Sequence, residues 1–413
     1  MAETAFVVGA GIIGLACAHY LHRAGFRVSV IDPAPEGDKA SIGNAGGIAV
    51  TEMAPASGPG VLWKAPGWLL DPLGPLSIRP AHALSLAPWL LRFARAGAPR
   101  EVERIAAALG ALNTNALPAF EAMMREAGIS TQLRTTGALS VYESEKGWRA
   151  DAQEWALKRR HGVIAEEIDP SEARAMEPAL GPIVKRAMFT PQWAQVSDPR
   201  VIVDGLRQFL MEQDVTFLRD RVERMTAWPK SISLRLAFAG EISASRVIIA
   251  AGAWSGALAR AFGDRVSLES ERGYNTTLPH AAGAIRHEII FAERKFVAAP
   301  LTCGLRIGGA AEFGGLRSAP NYARSDALLA LARRYLPDLD TRDATRWCGH
   351  RPATPDSLPV ISASPRCANV IYAFGHGHLG LTHSAITGRL VADMARAQPT
   401  SIDIAPYSVQ RFH

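Results

Sequence analysis

Gly9-Ala10-Gly11-Ile12-Ile13-Gly14 sits near the start of the chain, and what flanks it decides the fold. Residues 5–8, Ala-Phe-Val-Val, read as a short buried strand. Residues 12–24 place Ile13, Cys17, Tyr20, Leu21 and Ala24 on one helical face, and Gly25 stops that helix. Residues 28–31 form the next strand, which ends at Asp32. A GxGxxG alone is a weak signal, but strand, helix and acid in register make a nucleotide-binding βαβ unit. Gly9 permits the tight turn, Gly11 lets a pyrophosphate approach the backbone, and Gly14 lets helix and sheet pack closely. The helix N-terminus adds N–H donors and a positive dipole end for phosphate. Asp32 would accept from ribose hydroxyls and disfavours a 2′-phosphate by charge. The alternative is a chance glycine cluster in an α/β core, which leaves that register unexplained.

The bulk properties narrow the class. At 413 residues the chain suits two lobes, and 48% hydrophobic with 20% charged residues is ordinary for a globular protein. No apolar run is long enough to span a bilayer. Residues 1–8 lack the features of a secretory signal, which gives the expectation of a cytoplasmic protein. Cys17, Cys303, Cys348 and Cys367 are scattered, with no CxxC pair and no histidines at zinc-ligand spacing, so reduced thiols and no metal are expected. The net charge of +6 is spread along the chain without a basic block interleaved with aromatics, so no nucleic-acid partner is expected. A generally basic surface suits anionic ligands.

Further along, residues 54–88 break into an irregular excursion of prolines and glycines around Trp63 and Trp68. Helical periodicity returns over 99–128, followed by a strand over 138–142. Residues 197–262 resume α/β character: a helix over 199–213, a strand over 215–218, and a strand over 247–251 that runs into Gly252. Strands alternate over 272–316, a helix covers 325–335, and the chain closes with a strand (370–374), a glycine-rich loop and a helix (381–396). The expected class is α/β (α+β overall). A Rossmann-type nucleotide domain is assembled from 1–55, 145–185, 197–262 and 344–413. A discontinuous, mainly antiparallel sheet forms the substrate or cap domain from 56–144, 186–196 and 263–343.

Three later motifs carry chemistry. Gly375-His376-Gly377-His378-Leu379-Gly380 also matches GxGxxG, but only 33 residues follow it, too few for a second nucleotide domain. This loop therefore serves the first cofactor, with a helix N-terminus suited to stabilising negative charge on a reduced isoalloxazine ring. His376 and His378 form an HxH for which only His383 is a nearby third ligand, a weak metal reading. Gly349-His350-Arg351-Pro352-Ala353-Thr354-Pro355-Asp356 is a proline-punctuated turn around an arginine, the permanently charged fork that a carboxylate substrate needs. An interlobe salt bridge is the plainer alternative. Tyr274, in Arg272-Gly273-Tyr274, would add a hydroxyl donor, or else is a core tyrosine.

Taken in order, these motifs resemble the FAD-dependent D-amino-acid oxidase/glycine oxidase superfamily, and within it the bacterial D-amino-acid dehydrogenase branch. The matching elements are Gly9 to Gly14 with Asp32, Ser41-Ile42-Gly43-Asn44-Ala45-Gly46-Gly47, residues 248–255, Arg272-Gly273-Tyr274, the turn around Arg351, and the closing stretch 375–390. They span nearly the whole chain, and their combination is specific. The resemblance implies FAD held by Gly9, Gly11, Ile12, Ile13, Gly14 and Asp32. Ser41, Asn44, Ala45, Gly46 and Gly47 would wrap the pyrophosphate and approach the flavin. Ala250 and Gly252 would line the nucleotide side, Val222 would offer backbone to the adenine, and Gly377, His378, Leu379, Gly380, Leu381 and Thr382 would sit under the flavin. Arg351 matches the family's carboxylate-binding arginine and Tyr274 falls near its carboxylate-binding tyrosine, with His378 beside them at the catalytic centre. The FAD is expected to be noncovalent, because Cys348 is one residue out of register with the cysteine that a related branch links to its flavin.

The implied reaction is hydride transfer from Cα of a small D-amino or cyclic imino acid to flavin N5, giving an imine and then a 2-oxo acid. Electrons would pass to a quinone or another acceptor, or to O2 in an oxidase. The stretch from Trp63 to Trp89 resembles the dehydrogenase branch and raises peripheral contact with a membrane. Two other readings stay open: a carrier protein on a non-catalytic FAD fold, and a tRNA-modifying flavoprotein. Oligomeric state is not legible.

Overall fold

The computed structural model describes residues 3–58, 61–71, 74–229 and 231–413, and of residues 62–64 the backbone alone. The opening βαβ unit comprises β1 (Thr4–Val8), α1 (Ile12–Arg23) and β2 (Arg27–Asp32). Parallel to them run β10 (Thr216–Arg219) outside β2, β14 (Arg246–Ile249) beside β1, and β21 (Cys367–Phe374) beside β14. An antiparallel edge strand, β20 (Val360–Ser364), completes a six-stranded sheet in the order β10-β2-β1-β14-β21-β20. Continuous apolar runs such as Val247-Ile248-Ile249 suit strands covered on both faces. One face is covered by α1, α4 (Pro99–Glu126), α8 (Pro199–Glu212) and α11 (Ser384–Ala395). The other is covered by α9 (Ser255–Phe262) and by a small sheet of β11 (Val222–Ala227), β12 (Ile232–Leu236) and β13 (Glu241–Ala244).

A second sheet of nine strands has its own core. Its main path is β19 (Thr345–Ala353), β15 (Glu269–Leu278), β18 (Gly304–Phe313), β17 (Phe296–Leu301), β16 (Glu288–Phe291), β6 (Ala138–Tyr142), β8 (Arg186–Thr190) and β7 (Glu166–Ile168), with β4 (Leu76–Ile78) paired to β18. All pairs are antiparallel except β16 with β6 and β18 with β4. α7 (Pro170–Met176) and α10 (Ala323–Tyr335) bury their apolar sides against it around Phe291, Phe296 and Tyr335. A three-stranded sheet, β3 (Gly47–Ile48), β9 (Ala194–Val196) and β5 (Leu133–Thr135), ties the segment after Ser41 to the rest.

Three segments lie differently from the sequence expectation. Residues 145–185, expected in the nucleotide domain, supply α5 (Glu145–Ala150), α6 (Ala152–Arg160), α7 and β7, and β7 extends the second sheet as a short, acidic edge strand. Residues 345–353, also expected there, form the opposite edge of that sheet, because β19 pairs with β15 along its whole length. Conversely α4, expected in the cap, buries Ile105, Leu109, Leu112 and Phe120 in the core shared with α1 and α11. Hydrophobic period reports the type of an element and leaves its partner open. The excursion over 54–88 contains helices α2 (Val61–Leu70) and α3 (Pro80–Ala96). Pro80 starts α3 where no N–H is needed, and buried Leu86 and Trp89 anchor it despite Pro88. The Trp63 side chain lies outside the described residues.

The crossing of α1 and α11 is close enough to test. A Cβ on Gly388 would stand 2.5 Å from the Ala16 carbonyl oxygen, so Gly388→Ala must push two helix backbones apart. We expect a loss of about 1–3 kcal/mol in denaturant unfolding. An unchanged midpoint would show that the helices separate freely.

Candidate cofactor and substrate site

A cavity of about 1970 Å³ runs between the two large sheets, well above the roughly 300–1,000 Å³ of a site for one small ligand. At its nucleotide end lie Gly9, Gly11, Ile12, Ile13, Asp32, Val222, Ala250 and Gly252. Gly9 has φ +113°, and a Cβ on it would meet the Ala250 carbonyl oxygen at 2.4 Å, so the β1–α1 turn admits only glycine there. Gly14 does not line the cavity; it lets α1 rest on β1, since its Cβ would lie 1.9 Å from the Gly9 carbonyl oxygen. Ser41 Oγ accepts from Ile12 N at 3.1 Å, which sets a hydroxyl at the helix N-terminus. The Asp32 carboxylate accepts from Ala10 N (2.9 Å), Ala34 N (2.8 Å) and Lys39 Nζ (3.0 Å). Lys39, which sequence reasoning did not single out, thus orients the acid and brings a cation to this end.

The loop from Ser41 to Gly47 is held from below by the second sheet. Arg306, buried on β18, donates through Nη1 to the Ile42 and Asn44 carbonyls at 3.0 and 2.6 Å, and Asn275 Nδ2 donates to the Gly43 carbonyl at 2.9 Å. Burial lowers the Arg306 pKa. Within the loop, Asn44 Oδ1 accepts from Gly46 N at 2.5 Å, and the Ala45 carbonyl accepts from Gln195. Asn44, Ala45 and Gly47 line the cavity, while Gly46, at φ +89°, turns against Gln195. These features fit a dinucleotide: a side-chain-free turn, helix N–H donors, a ribose acceptor and an ordered loop over the phosphates.

At the other end, Gly377, His378, Leu379, Gly380 and Leu381 line the cavity. Thr382 does not; its hydroxyl accepts from Ala49 N at 2.9 Å and pins β3. The loop is stitched to β19 by Gly377 N donating to the Pro352 carbonyl (2.9 Å) and by a bridge between Ala353 and His376. The HxH pair diverges. Both touch the cavity wall, but His376 is buried with Nε2 on Thr387 Oγ1 at 3.0 Å, whereas His378 is exposed. His378 is accessible yet walled by protein, and this desolvation lowers its pKa. Among the described residues no group of three or more His, Cys, Asp or Glu side chains could hold a metal ion.

Arg351 reaches the same region along β19. Its guanidinium lies over Gly273 of β15, where a Cβ would come within 2.4 Å of Cζ. Nη1 donates to Glu271 Oε1 at 2.8 Å and to the Ala310 carbonyl at 2.9 Å. Nη2 makes one long contact, 3.4 Å to the Gly309 carbonyl, and Nε makes no hydrogen bond among the described residues. The expected partnership with Tyr274 is not formed. The Tyr274 hydroxyl donates to Glu312 and accepts from Asn321 N at 3.0 Å, on the other side of the sheet. Burial alone would raise the Glu312 carboxyl, but hydrogen bonds from Tyr274 and Arg79 and the Arg272 charge hold it below its ordinary range. That keeps Glu312 an acceptor and engages the tyrosine. Cys348 alternates to the Tyr274 face, where burial raises its thiol pKa, away from the face that carries Arg351.

The family described as FAD dependent oxidoreductase (DAO) matches residues 4–394. The chain belongs to this family. A protein named D-amino-acid oxidase from Bradyrhizobium diazoefficiens is 33% identical over 98% of both chains. One named D-amino acid dehydrogenase from Paramagnetospirillum magneticum is 32% identical, again over 98% of both. Among solved structures, glycine oxidase from Geobacillus kaustophilus superposes with a TM-score of 0.75 at 23% identity, covering 99% of each chain, a likeness of fold. This DAO-family chain is an FAD-dependent oxidoreductase, and FAD is its cofactor. No helix among the described residues is long and apolar enough to cross a membrane.

Several cavity residues escaped sequence reasoning: Glu271, Glu52, Glu288, Lys158 and Trp347. Strand alternation could have found Glu271 and Trp347, since Glu271, Gly273 and Asn275 share a face, as do Trp347, Gly349 and Arg351. Glu52, Lys158 and Glu288 come from separate elements, and no local pattern joins them.

The wall behind the loop titrates. Asn113 Nδ2 donates to the Glu52 carbonyl, so its Oδ1 accepts from His383 Nε2 at 2.8 Å, which leaves buried Nδ1 without a partner. Burial, aided by His378, pulls the His383 pKa down to about 3. Between about pH 6.5, where the unfolded residue protonates, and about pH 3, the unfolded chain holds a proton that the folded chain refuses. Stability therefore falls as pH falls through this window, with a slope of up to about 1.4 kcal/mol per pH unit from this residue. Urea midpoints at pH 7 and pH 5 should differ less in His383→Gln than in the parent; equal differences would remove His383 from the acid response.

Proposed function

We propose that the protein oxidises a small D-amino acid or cyclic imino acid to its imine, which hydrolyses to a 2-oxo acid unless it stays cyclic. The observation that carries this reading is the fixed pose of Arg351. With Nη1 held by Glu271 and the Ala310 carbonyl, the Nε–Nη2 edge is left for an α-carboxylate, and the guanidinium is already oriented. The relatives' names supply the substrate class and its configuration.

Bound FAD supplies the hydride acceptor. The chain's own residues bind and orient. Arg351 fixes the carboxylate and, with it, the direction of the Cα–H bond. His378, held toward its neutral form, adds no fixed charge beside the substrate. The helix N-terminus behind residues 375–383 and the N–H groups of that loop favour negative charge on the reduced ring. With the amine unprotonated, its lone pair would form the C=N bond as the Cα–H electron pair leaves as hydride to the cofactor, so no side-chain base is required.

For the acceptor we favour a quinone or another carrier over O2. Supporting this, α2 and α3 expose Leu69, Leu70, Leu84 and Leu91, and Trp68 and Leu69 of α2 also line the cavity. An apolar surface thus leads from the exterior to the site and suits contact with a membrane-borne acceptor. The relative named as an oxidase supports O2 as the second reading.

Anaerobic visible spectra of the purified protein, titrated with D- and L-amino acids, test the proposal. Bleaching by D-amino acids and not by their mirror images is expected; a flavin that no amino acid bleaches would overturn it. Slow recovery on readmitting air, accelerated by a soluble quinone, is the expected sign of a dehydrogenase, and rapid recovery in air alone that of an oxidase. Arg351→Lys keeps the charge but loses the fork, so KM should rise at least about tenfold while flavin absorbance is retained. Unchanged kinetics would take Arg351 out of the site.

A further inference from the structure

One cation on the cavity wall has no counter-charge in contact with it. Among the described residues, every other lysine and arginine there has a carboxylate within ion-pair distance, Lys39 on Asp32 and Arg351 on Glu271 among them. Arg306 has none. It is only 9% exposed on β18, and its hydrogen bonds all go to neutral groups. Nη1 donates to the Ile42 and Asn44 carbonyls, Nε to Thr277 Oγ1 at 3.1 Å, and Nη2 to Cys303 Sγ at 3.8 Å. Asp198 attracts the guanidinium from beyond ion-pair distance, and Arg200 repels it. Burial lowers its pKa, but a guanidinium keeps its proton at neutral pH. An ionised side chain taken out of water without a contact counterion is costly, and an anion docked beside it offsets that cost.

The loop next to Arg306 is polarised in the matching sense. Successive carbonyls are tied to side chains of other elements: Ile42 and Asn44 to Arg306, Gly43 to Asn275, and Ala45 to Gln195. The N–H groups of Gly43, Asn44 and Ala45, by contrast, donate to no acceptor among the described residues, and all three residues line the cavity. Consecutive backbone N–H groups without acceptors favour an anion. The loop also adjoins the nucleotide grip, because Ser41, one residue before Ile42, accepts from Ile12 N at the start of α1. A diphosphate carries a negative charge on each phosphate, and the α1 N-terminus supplies only roughly half an elementary charge of the opposite sign. Lys39 at that end is already offset by Asp32. Arg306 is the cation left for the balance.

We infer that Arg306, a residue of the second sheet, supplies the counter-charge for the diphosphate of FAD. By drawing the Ile42 and Asn44 carbonyls to itself it also leaves the N–H groups of the loop for the phosphates. The inference rests on the FAD cofactor and is independent of the amino-acid reading. The test takes FAD dissociation constants from flavin fluorescence as holoprotein is diluted, in the parent, Arg306→Lys, Arg306→Gln and Asn275→Ala. Arg306→Gln keeps hydrogen-bond donors and loses the charge, so it should bind FAD at least about thirtyfold more weakly. Arg306→Lys keeps the charge and should recover most of that loss. Asn275→Ala removes a neutral tie to the same loop and should cost less than about tenfold. Urea midpoints of the FAD-stripped proteins should not follow this order. Parent-like affinity in Arg306→Gln overturns the inference. So does equal weakening in the lysine and glutamine variants, or a loss of affinity matched by a loss of stability in FAD-stripped protein. If Arg306→Gln does not fold, Arg306→Lys is judged against Asn275→Ala: FAD binding at least as tight in the lysine variant supports the counter-charge, and weaker binding overturns it.

Discussion

The carbonyl oxygen of Gly9 stands where a side chain on Gly14 would begin, and α1 consequently lies directly on β1. That contact aims the N-terminus of α1 at one end of the cavity. A second close approach, Gly388 of α11 against the Ala16 backbone of α1, ties the helix that follows the Gly375-to-Gly380 loop to the same axis. The two ends of the site are therefore referenced to one pair of touching helices. A cofactor as long as FAD must be gripped at its phosphates and at its ring together, and two backbone-to-backbone contacts without intervening side chains give little room for drift between the grips.

The β15–β19 ladder supplies the other constraint. Its alternation separates two electrostatic environments only one strand thickness apart. Arg351 and Glu271 share the cavity face, with Gly273 leaving room for the guanidinium. Arg272 and Tyr274 turn to the opposite face, where Glu312 gathers them with Arg79. The buried network fixes the strand; the exposed pair is left for chemistry.

Most of the nucleotide end was legible, because its signals are local. A strand, a glycine turn, a helix and an acid within Thr4–Asp32 name one another by spacing, and the later strands over 215–218, 247–251 and 370–374 fall where the parallel sheet has them. Arg351 was singled out as a fork in a rigid turn, but it lies within strand β19, where pairing with β15 fixes it instead. Tyr274 was assigned to the carboxylate through the family resemblance, but alternation along β15 sends its hydroxyl to Glu312, which lies 38 residues later. The helices over 61–70 and 80–96 were hidden by their prolines; in the second, burial of Leu86 and Trp89 anchors the helix around Pro88. Lys39, Arg306 and the Glu52–Lys158 pair were invisible because each acts on a partner that only the fold brings near. α4 was given the right type of element and the wrong neighbour for the same reason, and the segment that carries β7 was assigned to the wrong sheet.

The six-stranded sheet draws its strands from residues 4 to 374, and its centre is completed only when β21 docks on β14. Most of these pairings join residues far apart in sequence, a topology in which loop-closure entropy precedes the reward of contact. During synthesis, β1, α1 and β2 leave the ribosome early but have no third parallel neighbour on the β1 side until residue 246, and no ring-end loop until residue 375. The two grips on the cofactor therefore come from segments more than 300 residues apart, and neither is complete until the sheet that joins them has formed.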